Sequence, residues 1–144
     1  MARTDDALMA FNNGFTCSSA VFSAFADDLG LTGDLAKKIA CGFGAGVSRT
    51  GNICGAVSGA ILVIGLKYGK AEEGDNAANE KTRALVRQFI DEFIEKNGSI
   101  NCTELLRYDL SNQDDYEKAR SENLFKTKCP RYVKDAALIL ERML

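Results

Sequence analysis

Apolar residues recur along most of this chain at intervals of three and four, the spacing of an amphipathic helix, and runs of alternating Val, Thr and Tyr are scarce. Leu8, Phe11 and Phe15 mark a short first helix, which Asn12-Asn13-Gly14 breaks because these residues tolerate left-handed backbone. A second helix begins near Cys17 with Ala20, Val21, Ala24 and Phe25 on one face, and Gly30 stops it. A third runs from about Gly33 to Cys41 with Leu35, Ile39 and Ala40 as its apolar positions, and it gives way to Gly42-Phe43-Gly44-Ala45-Gly46. After a loop through Arg49-Thr50-Gly51-Asn52, the segment from Cys54 to Lys67 is apolar on nearly all sides, the signature of a buried helix. Its small residues Ala56, Ser58, Gly59 and Ala60 invite a close neighbour, either within the chain or on a second copy in a homodimer.

Tyr68-Gly69 closes that helix, and Glu72-Glu73-Gly74-Asp75 reads as a solvated connector. A long amphipathic helix from about Asp75 to Lys96 turns Leu85, Val86, Phe89, Ile90 and Phe93 inward until Asn97-Gly98 stops it. A short helix carrying Leu105 and Leu106 starts at Cys102, another is expected over Asp114 to Asn123, and a last one runs from Pro130 to the end with Val133, Ala137, Leu138 and Leu140 apolar. The expectation is an all-α fold, a compact bundle of about five to seven helices, with residues 1–144 forming a single helical domain and no repeat or linker.

Hydrophobic residues at 46% and charged residues at 26% suit an ordinary core-forming domain. The net charge of −2 supplies no basic footprint for nucleic acid. The longest apolar stretch, Ile53 to Leu66, is shorter than the ~20 residues of a membrane span and holds three glycines, so no membrane insertion is expected. The opening Met1-Ala2-Arg3-Thr4-Asp5-Asp6 lacks the basic-then-apolar order of a secretory signal, which points to a cytoplasmic protein. In that compartment five cysteines are better read as redox or metal chemistry than as a structural disulfide set. The chain contains no histidine. That removes Ser-His and Cys-His catalysis, His-ligated haem, mixed Cys/His zinc and Rieske-type clusters, and leaves thiolates as the ligands for any transition metal.

Four of the five cysteines fall at expected helix starts. Cys17 follows Thr16, Cys54 follows a glycine-rich loop, Cys102 sits in Asn101-Cys102-Thr103-Glu104 with capping-box spacing, and Cys129 precedes Pro130. A helix start carries partial positive charge and free N–H groups, which lower a thiol's pKa and favour the thiolate. Cys41 falls in the last turn of its helix, where the field has the opposite sign, and is the weakest ligand candidate of the five. There is no C-x-x-C, so neither a thioredoxin-type motif nor a zinc ribbon is supported. With gaps of 37, 48 and 27 positions, the fold itself must gather the four. Four converging thiols suit an iron–sulfur cluster or a tetrahedral metal, two pairs suit reversible disulfides, and isolated cysteines would only fill core space.

At these residues the chain resembles the C_GCAxxG_C_C family of redox-active proteins. The matching segments are Gly14-Phe15-Thr16-Cys17-Ser18-Ser19-Ala20-Val21, Gly42-Phe43-Gly44-Ala45-Gly46, Cys54-Gly55-Ala56-Val57-Ser58-Gly59-Ala60, Gly65-Leu66-Lys67-Tyr68-Gly69, Cys102-Thr103-Glu104-Leu105-Leu106 and Cys129-Pro130. The central motif reads Cys-Gly-Ala here, where the family name writes Gly-Cys-Ala. The resemblance implies a helical redox protein. The same region is similar to the helical portion of split-Soret cytochromes, which implies a cysteine-bound iron–sulfur site of two-iron type. The haem part does not carry over, because the chain has no C-x-x-C-H.

The leading expectation is therefore a 2Fe-2S protein with Cys17, Cys54, Cys102 and Cys129 as ligands. It would pass single electrons to a redox partner protein rather than act as a catalyst. A thiol–disulfide protein using the same residues in pairs and a holder of zinc or another soft metal are the rivals. Gly42–Gly46 lacks the preceding strand of a dinucleotide fingerprint and reads instead as a tight turn near the cysteines, a nest for anionic sulfur. Arg49 reads as a solvated loop residue or as countercharge for a thiolate cluster, and Tyr68, Tyr108, Tyr116 and Tyr132 read as packing residues.

Overall fold

The computed structural model describes residues 2–144, with Met1 outside them. The fold is all-α: the longer right-handed helices are Ala2–Asn12, Cys17–Ala26, Gly33–Ala40, Gly55–Tyr68, Asn76–Asn97, Gln113–Ser121 and Cys129–Met143, with short turns of helix at Cys102–Leu106 and Leu124–Thr127. Among the described residues there is no strand, only one antiparallel bridge between Ile53 and Asn101. No described helix is long and apolar enough to cross a membrane.

The Cys17–Ala26 and Gly55–Tyr68 helices form the centre. Gly59 makes their approach possible, because a Cβ there would stand 2.7 Å from the Ser18 carbonyl oxygen. The small-residue face of the Gly55–Tyr68 helix is thus spent inside the chain, and Ala56, Ser58, Gly59 and Ala60 are buried. This removes the ground on which a homodimer through that face was expected. Phe89 and Phe93 of the Asn76–Asn97 helix stack at 6.1 Å, and Phe93 meets Tyr132 of the Cys129–Met143 helix at 6.3 Å. Phe89 and Phe93 are fully buried together with Val57, Ile64, Val133, Ile139 and Leu140.

The Gly33–Ala40 helix packs by a different face from the one its pattern suggests. Ala36 and Ala40 are buried, whereas Leu35 and Ile39 are each 50% exposed. The reason lies in two serine anchors: the Ser18 hydroxyl donates to the Ala40 carbonyl at 2.7 Å and the Ser19 hydroxyl to that of Lys37 at 2.8 Å. Backbone held that close leaves room only for alanine at the interface. Phe15, read as part of the first helix's apolar face, lies beyond Asn12 and is exposed with Lys37 over its ring at 4.2 Å.

Gly42–Gly46 departs furthest from the expected turn. After a 3₁₀ turn at Cys41–Phe43, residues 45–49 all have positive φ, between 54° and 67°. This is a turn of left-handed helix built largely from residues with side chains, Ala45, Val47, Ser48 and Arg49 among them. Such backbone costs roughly 1–2 kcal/mol per L-residue, and Val47, being β-branched, is the least suited to it. Hydrogen bonds offset the cost. The Thr50 hydroxyl reaches the carbonyls of Gly46 and Val47 at 2.8 Å each, Ser48 donates to Gly42 at 2.8 Å, and the Asn52 N–H donates to Gly46 at 2.9 Å.

Candidate functional site

Each of the four cysteines is set by a different local device. Thr16 caps the Cys17 helix, accepting from the Ser19 N–H at 3.2 Å. Its side chain packs against Gly44, where a Cβ would fall 2.5 Å from that of Thr16. Cys54 occupies the N-cap position of the Gly55–Tyr68 helix. The Ile53–Asn101 bridge sets Cys54 beside Cys102: the Cys54 N–H donates to the Ile100 carbonyl and the Cys102 N–H to that of Asn52, both at 2.7 Å. The capping box foreseen at Asn101 takes another form, because the Glu104 carboxylate accepts from the Ser99 hydroxyl at 2.6 Å and the Asn101 amide at 3.2 Å. Cys129 opens the last helix with Pro130 in its first turn. Lys128 and Tyr132, on either side of Cys129, both donate to the Leu105 carbonyl, at 3.3 and 3.0 Å, and so tie Cys129 to the end of the Cys102 helix.

The outcome is one cavity of about 380 Å³ whose wall includes Cys17, Cys54, Cys102 and Cys129. Cys54 and Cys102 are buried, and Cys17 and Cys129 partly so. Cys41 is exposed and lies outside the cavity wall. The left-handed turn reaches the same wall. Ala45 directs its N–H at the Cys17 sulfur, and Gly46 lies against Cys102, where a Cβ would stand 2.7 Å from the cysteine's own. The expected approach of this backbone to the cysteines is therefore seen, in left-handed form. Gly55 completes the nest, since a Cβ on it would fall 2.3 Å from the Cys17 sulfur.

Burial opposes ionisation of all four thiols in the metal-free chain. Burial pushes Cys17 up, against the backbone N–H groups of Ala45, Ser18, Cys17 and Gly55, which favour the thiolate. Burial and then the neighbouring Cys17 push Cys54 well above its usual range, against the N–H groups of Ala56 and Val57. Cys102 is pushed up to about 12 by burial, Cys17 and Asp109, and Cys129 to about 12 by burial, Cys17 and Cys102. The expectation of thiolates favoured by helix starts is overturned. The N–H groups point as foreseen at Cys17 and Cys54, but taking four anions out of water costs more than those dipoles return. Among the described residues no group of three or more Cys, Asp or Glu side chains is gathered tightly enough to hold a single metal ion.

The rest of the wall was not singled out by sequence. Tyr116 and Tyr132, read only as packing residues, both line the cavity, as do Phe11, Leu110 and Phe125. Tyr132 was within reach of inference, since it sits three residues after Cys129 on the same helical face. Arg49 stacks on the Tyr116 ring at 4.1 Å and donates to its hydroxyl at 2.8 Å.

The profile of one family, "Putative redox-active protein (C_GCAxxG_C_C)", matches residues 15–143. The chain belongs to this family. A protein of Archaeoglobus fulgidus described as uncharacterized is 31% identical over 102 residues, which cover 65% of this chain and 67% of that one. No solved structure matches the chain. The C_GCAxxG_C_C match spans all four cavity cysteines, and Cys41 lies inside the matched span but outside the cavity. Exposure alone makes a prediction for this family member. In the reduced, metal-free chain, iodoacetamide at pH 7.5 modifies Cys41 first, and peptide mapping of the singly labelled species finds the label there. Equal labelling of Cys54 or Cys102 would contradict the burial described.

Proposed function

We propose that Cys17, Cys54, Cys102 and Cys129 hold an iron–sulfur cluster of two-iron type and that the protein is an electron carrier. The observation that carries this reading is the meeting of four sulfurs from four helix starts on one cavity wall, with backbone N–H groups aimed at two of them. Such a cluster takes up and returns one electron. The chain's contribution is to exclude water with Leu105, Leu106 and Leu110, and to supply N–H donors that offset negative charge on sulfur.

Four thiols on one cavity wall support this reading over its rivals. A single zinc ion would need all four sulfurs within about 2.3 Å of one point, whereas a two-iron cluster would divide them between two metal ions. Cys17, Cys54, Cys102 and Cys129 would hold such a cluster in a cavity of about 380 Å³. Thiol–disulfide exchange needs a thiolate at working pH, and burial disfavours the thiolate at each of the four cavity cysteines. Metal charge removes this obstacle, because a coordinating thiol loses its proton outright.

Serine replacement tests the assignment. After anaerobic reconstitution with iron and sulfide, Cys17→Ser, Cys54→Ser, Cys102→Ser and Cys129→Ser each lose most of the visible absorbance per chain. Cys41→Ser keeps it. Loss of colour in Cys41→Ser, or full retention in Cys54→Ser or Cys102→Ser, would refute this set of ligands.

A further inference from the structure

The cavity is larger and more varied than four thiols require. Its volume of about 380 Å³ falls within the range of small-molecule sites, about 300–1,000 Å³. Besides the cysteines, its wall carries aromatic and aliphatic side chains, Phe11, Leu110, Tyr116 and Phe125 among them. One charged side chain lines it, that of Arg49.

Arg49 is placed with care. It ends the left-handed run, at φ 67°, so the strained turn fixes where its side chain leaves the backbone. Its guanidinium carbon lies over the Tyr116 ring, 4.1 Å from the centroid, and Phe125 meets the same tyrosine at a centroid distance of 5.7 Å. Its one hydrogen-bond partner among the described side chains is neutral, the Tyr116 hydroxyl. No described carboxylate lies within ion-pair distance of it, although other arginines of the chain, such as Arg3, Arg83 and Arg142, have acidic partners. A planar cation held on an aromatic ring at the wall of an apolar cavity is arranged to receive a carboxylate in bidentate fashion.

We infer that the Arg49–Tyr116–Phe125 side of the cavity binds a small organic carboxylate with a flat apolar body, beside the sulfurs. This deepens the cluster proposal and rests on it only for what lies next to the ligand; the binding itself needs no metal. The carboxylate would pair with Arg49 while its body lies among Tyr116, Phe125 and Leu110. The bound molecule would then sit in the same chamber as the four sulfurs, where it could modulate their exposure to water.

The test uses benzoate as probe, benzamide as its neutral counterpart and inorganic phosphate as a compact anion. Each is titrated into the reduced, metal-free full chain and into the anaerobically reconstituted chain, with binding followed by chemical-shift changes of the tyrosine ring signals. Benzoate is expected to bind both forms and to shift Tyr116. Benzamide and phosphate should each bind at least about tenfold more weakly, and Arg49→Gln should weaken benzoate by at least about tenfold. Arg49 is exposed, so its replacement leaves the core intact. Absence of benzoate binding, equal binding of benzamide, phosphate binding as tight as benzoate, or unchanged affinity in Arg49→Gln would overturn the proposal. So would benzoate binding that vanishes on reconstitution, since the ligand would then occupy the cysteine end. None of these outcomes bears on whether iron and sulfide are present, which separates this proposal from the cluster reading.

Discussion

Gly55→Ala should abolish cluster loading and destabilise the chain, although alanine is the better helix former. In a helix interior the change normally stabilises by about 1 kcal/mol. At Gly55 the new methyl carbon would fall 2.3 Å from the Cys17 sulfur, 3.1 Å from the Gly44 Cα and 3.2 Å from the Ser18 N. The sulfur can rotate away, but only by abandoning the N–H groups of Ala45 and Gly55 that surround it. The two backbone atoms cannot yield without moving the left-handed turn or the start of the Cys17 helix. Overpacking of this kind costs about 1–3 kcal/mol. Gly65, in the same helix, is the internal control: a Cβ there meets nothing within 4 Å. Gly65→Ala should therefore raise Tm and load normally, while Gly55→Ala lowers Tm and stays colourless with its helix content retained. Normal loading of Gly55→Ala would show that the nest around Cys17 is not needed.

The metal-free chain should also be unusually sensitive to alkali. Cys102 and Cys129 bind their protons up to about 12 in the folded chain, against 9.0 for an ordinary thiol. Between these values the folded state holds more protons than the unfolded one, so stability falls as pH rises. The stability these neutral thiols contribute is fully present below about pH 9 and is lost progressively towards pH 12. At pH 10 each of the two weakens folding by about 1 kcal/mol, and Cys17 and Cys54 act in the same direction. That is a large share of the roughly 5–15 kcal/mol that holds a typical domain together. Under reductant, Tm should drop by on the order of 10 °C between pH 8 and 10. The Cys102→Ser/Cys129→Ser double variant, whose hydroxyls do not titrate there, should drop markedly less. Identical slopes for the two proteins would contradict the assigned burial of these thiols.

Much of the fold could be read from the sequence because its signals are local. Thr16 before Cys17, Pro130 after Cys129 and Gly98 after the long helix mark boundaries by backbone preference alone, and the structure has helix ends there. The separation of Cys41 from the other four cysteines followed from its place at a helix end. What escaped depends on neighbours distant in sequence. Nothing in Ala45-Gly46-Val47-Ser48-Arg49 announces a left-handed turn, since four of these residues resist it and the hydrogen bonds of Thr50, Ser48 and Asn52 hold it. Leu35 and Ile39 carry the right period for an inward face, yet Ser18 and Ser19 pull the Gly33–Ala40 backbone too close for them. The thiol pKa direction was missed because helix-start dipoles are visible in sequence and desolvation is not. Tyr116 and Phe125 join the cavity wall through packing of the Gln113–Ser121 helix, which matches the one expected over Asp114 to Asn123, and of the short Leu124–Thr127 turn, which no local signal marks.

The central claim is that four cysteines from four helix starts hold a two-iron cluster. Its most direct test is the count of iron and acid-labile sulfide per chain in protein purified and reconstituted without oxygen. The account predicts two irons and two sulfides per chain, unchanged in Cys41→Ser. Protein that stays free of iron and sulfide after reconstitution, or that instead binds one zinc per chain, would contradict it.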